Sequence, residues 1–195
     1  MIKDYQGTVI CASKYFQMED MRKIYELGYH DFGENRVQDF LVKKVGLHDL
    51  EITWHFIGHL QTNKVKKVIN EIDVLHTLDS IHLALAIQDD RKTPLSCFIQ
   101  LNLTQEVQKS GILLTNLNHF MNEMKKYDKI KPIGFMTIGK QDDPVETERV
   151  FTLLDELASK YQLPFRSMGM TDDYELAIKH HATHLRIGRK FMTLL

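Results

Sequence analysis

The chain has 195 residues, 43% of them hydrophobic and 26% charged, enough apolar content for one sizeable core. Lys and Arg number 25 against 26 Asp and Glu, a formal net charge of -1, which gives no electrostatic reason to expect nucleic acid or an anionic membrane as partner. Neither a basic-then-apolar leader nor an apolar run of membrane-spanning length occurs, so a cytoplasmic protein is expected.

The first element is the apolar run TVICAS (8–13), which reads as a strand and delivers Lys14 at its end. Further short runs rich in aromatic and β-branched residues follow at HDFG (30–33), TWHFI (53–57), DVLHT (73–77), LSCFIQL (95–101), IKPIGFM (130–136), FRSM (165–168) and HLRI (184–187). Cys11 and Cys97 lie inside two of these runs and read as buried thiols of a reducing compartment rather than a disulfide.

Helical periodicity fills the gaps. Val37, Phe40, Leu41 and Val45 share one face, with Asn35 placed to cap the start and Gly46 to close the end. Leu117, Phe120, Met121 and Met124 form a stripe behind Thr115. Val150, Leu153, Leu154 and Leu157 form another, behind Asp143 as cap and Pro144 at the first helical position. The stripe of Tyr174, Ala177, Ile178 and His181 follows Thr171, with Asp172 and Asp173 in the first turn.

Strands alternating with helices predict a parallel sheet covered by helices. Eight strands favour closure into a single (β/α)8 barrel over residues 1–195, an α/β fold, although such barrels typically take about 250 residues. Chemistry then belongs at the carboxyl ends of the strands, where the polar and glycine-rich stretches gather.

Lys14 has two readings: a solvated charge, or an amine that condenses with an aldehyde, which partial burial and nearby cations would favour by lowering its pKa. The later motifs bear on the choice. SMGMTDDYELA reads as a strand, a glycine turn at Gly169 and a helix N-terminus capped by Thr171, a place for a phosphate dianion. RIGR adds Gly188 and two guanidinium groups, Arg186 and Arg189. An imine-forming lysine facing a phosphate cradle suits pyridoxal 5′-phosphate (PLP).

ASK (12–14), FGENRVQDF (32–40), WHFIGHLQTNK (54–64), QKSGI (108–112), GFMTIG (134–139), SMGMTDD (167–173) and RIG (186–188) occur in this order across nearly the whole chain. Together they closely resemble the PLP homeostasis protein family, whose fold is like the N-terminal barrel of alanine racemase. The resemblance implies that Lys14 carries PLP as a Schiff base, that Ser167 and Gly169 form the phosphate-binding turn, and that Arg186 and Gly188 contact the cofactor. Gly188 is expected to give its N–H to the phosphate; Arg186 faces either the phosphate or the pyridine nitrogen. Asn35 is expected near the ring, beside its other reading as a helix cap.

Two departures from the family pattern stand out. Only seven residues precede Thr8, where relatives carry an extra helix, and one side of the barrel bottom is expected to be open or covered by another chain. After RIG the family's small hydroxyl residue is replaced by Arg189, and a later glycine is missing.

Other features have plainer readings. His55 and His59 have the spacing of a metal pair, but across a strand end that spacing means little. The three histidines of KHHATH (179–184) read as a cationic helix end and the loop after it, Val65, Val68 and Ile69 as the inward face of an amphipathic stretch, Trp54 as core and Arg36 as surface charge.

The functional expectation is a PLP-binding protein of intracellular PLP homeostasis that holds the cofactor without catalysis of its own, as a monomer or weak dimer, with apo PLP-dependent enzymes as partners. The alternative is a racemase-like PLP enzyme, which needs acid/base groups on both faces of the substrate carbanion.

Overall fold

The computed structural model describes residues 2, 4–104 and 110–195. Its eight strands are β1 (Thr8–Ala12), β2 (Asp31–Glu34), β3 (Thr53–Phe56), β4 (Val74–Leu78), β5 (Leu95–Gln100), β6 (Ile130–Met136), β7 (Phe165–Ser167) and β8 (His184–Ile187). They close in chain order into an all-parallel barrel, β8 pairing with β1 from Thr8↔His184 to Cys11↔Ile187. The helices are α1 (Met18–Glu26), α2 (Val37–Gly46), α3 (Val65–Val68), α4 (Ile81–Asp90), α5 (Leu114–Met124), α6 (Pro144–Lys160) and α7 (Tyr174–Lys179). A chain short for this architecture completes it because β7 has 3 residues, α3 has 4 and α7 has 6.

Three helix starts depart from the sequence reading by one or two residues. The N-cap of α2 is Arg36, whose side chain makes no capping bond, so Asn35 lies too early to be the cap. Helix α5 starts at Leu114 behind Leu113, which places Thr115 inside its first turn. The N-cap of α7 is Asp173, not Thr171. The Asp173 carboxylate instead accepts the Met170 N–H at 2.6 Å, which rounds the turn and delays the helix. Only α6 begins as expected, with Asp143 accepting the Glu146 N–H at 3.0 Å and Pro144 at the first position.

Two apolar or cationic assignments also change. Val45 is 72% exposed, because eight residues along a helix rotate it about 80° from Val37, off the buried stripe. His184 opens β8, as the HLRI run predicts, and packs against Phe98, Phe165 and His76, so the KHHATH reading as a cationic helix end and loop is left to His180 and His181.

The core lies between the barrel and its helices. Trp54 meets Phe40 edge-on with ring centroids 5.3 Å apart, and Val65, Val68 and Ile69 are fully buried. Cys11 and Cys97 are free and fully buried, and burial pushes both thiols up from their ordinary range.

Candidate functional site

A cavity of about 600 Å³ opens at the carboxyl ends of the strands. Of the six residues singled out from the sequence, Lys14, Asn35, Arg186 and Gly188 line it, and Ser167 and Gly169 do not. Of the QKSGI motif, Ser110 lines the cavity, while Gln108 and Lys109 lie outside the described residues.

Lys14 occupies a 3-10 turn, Ser13–Tyr15, that leaves β1. The expected partial burial is not seen: the side chain is exposed, with Nζ 4.7 Å from the Tyr15 ring centroid. Directly behind it, Ser13 and Glu34 are fully buried.

Arg186 is 5% exposed and, among the described residues, forms no ion pair. Nη1 donates to Ser167 Oγ at 2.6 Å and Nη2 to the Thr137 carbonyl at 3.0 Å. Burial pulls the guanidinium down to about 10, while the charge of Asp173 acts in the opposite direction. A buried cation lacking a carboxylate contact, on the wall of a cavity, is equipped to meet an acceptor supplied from outside.

Ser167 therefore lies beneath the arginine. Its hydroxyl also meets His76 Nδ1 at 2.8 Å; His76 Nε2 meets His55 Nδ1 at 2.9 Å, and His55 Nε2 meets Asp31 Oδ1 at 3.0 Å. Strands β4 and β7 are not neighbours in the wall, so the His76–Ser167 contact crosses the barrel interior. With Asp31 ionised and both rings neutral, one order of donors satisfies the series: Arg186 to Ser167, Ser167 to His76, His76 to His55, His55 to Asp31. Burial, with the neighbouring Arg186 guanidinium adding to it, holds His76 well below the usual histidine range.

This series was not read from the sequence. HFIGH and DVLHT display the histidines, but a strand covered on both faces carries no sign of which side chains point inward. His59, the other half of the supposed pair, faces Asp79 at 3.3 Å, away from His55's partners.

Gly169 has φ +94°, and a Cβ there would stand 2.6 Å from Ala177 Cβ and 2.8 Å from Leu185 Cδ2. The glycine thus lets the turn press against α7 and β8. Thr171, expected as a helix cap, lines the cavity, and its Oγ1 accepts the Gly188 N–H at 3.4 Å, a long contact. Asp172 is held by Arg189 at 2.5 Å on the exposed rim, and burial raises the Asp173 carboxyl above its ordinary range. Among the described residues, Asn35 Oδ1 is buried without a hydrogen-bond partner.

Residues 14–191 match the family model described as the alanine racemase N-terminal domain. A pyridoxal phosphate homeostasis protein of Aquifex aeolicus is 38% identical over 91% of this chain and 82% of its own length. This chain belongs to the pyridoxal phosphate homeostasis protein family. A family member from Helicobacter pylori strain J99 is 35% identical over 92% of this chain and 84% of its own. Among solved structures, PipY of Synechococcus elongatus without PLP superposes with a TM-score of 0.89 at 29% identity, covering 95% of this chain and 92% of PipY. PipY with PLP bound gives 0.87 at 28% identity, covering 98% and 93%. The alanine racemase of Corynebacterium glutamicum, at 16% identity and a TM-score of 0.71, shares the fold over 95% of this chain and 56% of the racemase.

The family's ligand can be tested against the donors present. A phosphorylated pyridine aldehyde requires an amine, anion donors and a polar group for its ring. Lys14, the Arg186 guanidinium, the Gly188 N–H, the Thr171 hydroxyl and the Asn35 amide, whose Oδ1 is unpaired among the described residues, provide that set around one cavity. The residues fit.

Proposed function

We propose that this chain binds PLP in the cavity and serves intracellular PLP homeostasis, keeping the cofactor as a reversible Schiff base on Lys14 without turning over a substrate. The observation that carries this reading is the convergence on one cavity of the Lys14 amine and the buried Arg186 guanidinium, which has no ion pair among the described residues. The PLP-bound PipY structure and the names of the relatives support it.

PLP, when bound, supplies an aldehyde that a primary amine captures reversibly. The chain's residues divide the remaining work. Lys14 offers its amine at the cavity mouth. Gly188 and Thr171 give donors for the phosphate, and Arg186 gives a fixed cation for the phosphate or the pyridine nitrogen. The Asn35 amide meets the ring. Ser167 and Gly169 act indirectly, the first by holding Arg186 and the second by letting its turn close against β8. We further assign the chain to the cytoplasm as one binding unit over residues 1–195, monomeric or weakly dimeric, handing PLP to apo PLP-dependent enzymes.

The test is borohydride reduction of protein loaded with PLP, followed by peptide mapping. The expected result is one modified peptide carrying the pyridoxyl group on Lys14, and none from Lys14→Ala. Modification elsewhere overturns the attachment point. Sustained racemisation or decarboxylation of an amino acid overturns the non-catalytic reading.

A further inference from the structure

Behind the turn that presents Lys14 lies a charged pair made of a buried carboxylate and a largely covered ammonium. Glu34, the last residue of β2, is fully buried, and Lys43 of α2 brings Nζ to 2.5 Å from Glu34 Oε1. Both groups grip one residue. Ser13 Oγ donates to Glu34 Oε1 at 2.8 Å, and Lys43 Nζ donates to the Ser13 carbonyl at 2.7 Å. Ser13 immediately precedes Lys14.

Taking two charges out of water is costly, and apolar residues fill such a space at least as favourably. The charged pair supplies something an apolar filler does not: it fixes both the side chain and the carbonyl of Ser13. It does so from a strand and a helix, which hold position better than a loop. Lys14, by contrast, has a flexible four-carbon stem that loses rotamer freedom whenever its amine is held in one place. Anchoring the backbone at its root removes part of that cost before the aldehyde arrives.

We infer that Glu34 and Lys43 are positioning residues, which clamp Ser13 and so aim the Lys14 amine into the cavity. The inference rests on the reading of Lys14 as the amine that captures PLP. It separates two properties of the site. Capture of an aldehyde depends on the clamp; retention of a phosphorylated pyridine does not.

The experiment compares PLP with pyridoxine 5′-phosphate, an alcohol that cannot condense with an amine, on the full chain. The variants are Glu34→Gln/Lys43→Met, which removes both charges together and leaves no lone buried ion, and Ser13→Ala, which deletes only the clamped hydroxyl. The double variant is expected to bind PLP about tenfold more weakly while its affinity for pyridoxine 5′-phosphate changes by less than about twofold. Ser13→Ala should shift in the same direction by a smaller factor, and this arm decides the matter if the double variant does not fold. In a Lys14→Ala background the same substitutions should make no further difference to PLP. Unchanged PLP affinity, or equal losses for both ligands, overturns the inference. If the native chain captures no aldehyde on Lys14, the underlying reading of the site fails instead.

Discussion

Arg186 and Ser167 are joined across neighbouring strands by a 2.6 Å hydrogen bond from Nη1 to Oγ, and neither residue is appreciably exposed. The same hydroxyl meets His76, so one small side chain ties the cavity's buried cation to the polar series in the barrel interior. Ser167→Ala leaves a guanidinium N–H and a ring nitrogen without their partner. It should destabilise the fold by about 1–3 kcal/mol, read as a lower urea midpoint at unchanged slope. Ser167→Thr should recover part of the loss.

Asn35 gives the opposite pattern. Its Oδ1 has no hydrogen bond to lose among the described residues, so Asn35→Ala should change stability by less than about 0.5 kcal/mol. Loss of an amide facing the ligand should weaken PLP binding by roughly three- to tenfold. Equal PLP affinities of the two proteins would remove Asn35 from the site.

Gly169, beneath the cavity, and Gly188, on its lining, should behave differently as well. Gly169→Ala places a side chain at φ +94° and within 2.8 Å of Ala177 and Leu185, and should cost about 2 kcal/mol or more. At Gly188 φ is -112°, and the nearest atom to an added Cβ is Tyr15 Cε2 at 3.1 Å. Gly188→Ala should therefore fold nearly as well while displacing the ring beneath Lys14, which thermal melts combined with PLP titration will show.

The interior histidines set an acid limit to stability. Burial lowers His184 to about 4, and His76 lies well below its ordinary value of 6.5. Arg186 adds to the shift of His184, and Asp31 opposes it. In the unfolded chain both rings take up a proton as pH falls through about 6.5, whereas the folded rings do not. The unfolded state then binds more protons, so folding stability falls as pH drops from about 6.5 towards 4, by up to about 1.4 kcal/mol per pH unit for each histidine. Urea unfolding between pH 7 and 4 measures the slope, and His184→Asn should flatten it.

The order of elements was legible in the sequence because apolar runs and helical stripes repeat at the periods each element needs; the eight predicted strands match the observed ones to within about two residues. The placement of Lys14, Asn35, Arg186 and Gly188 at one end of the barrel followed from topology alone, since parallel crossovers bring every strand's carboxyl end to the same face. Helix starts were less legible. Asn35, Thr115 and Thr171 are all good capping types, yet chain geometry at the strand exits placed the true N-caps elsewhere.

What the residues by themselves determined, then, was the architecture and the end of it that carries the chemistry. Orientation was decided only by closure of the barrel. Ser167 and Thr171 lie four residues apart in one motif, and either hydroxyl suits a phosphate; the turn at Gly169 puts Thr171 on the cavity and Ser167 beneath the arginine. Likewise nothing in the order of the chain pairs Glu34 with Lys43, and folding brings the Lys43 amine onto the buried Glu34 carboxylate, both against Ser13. The physical reason is common to these cases: periodicity records whether a side chain is buried, while the partner it finds there is fixed by elements distant in sequence.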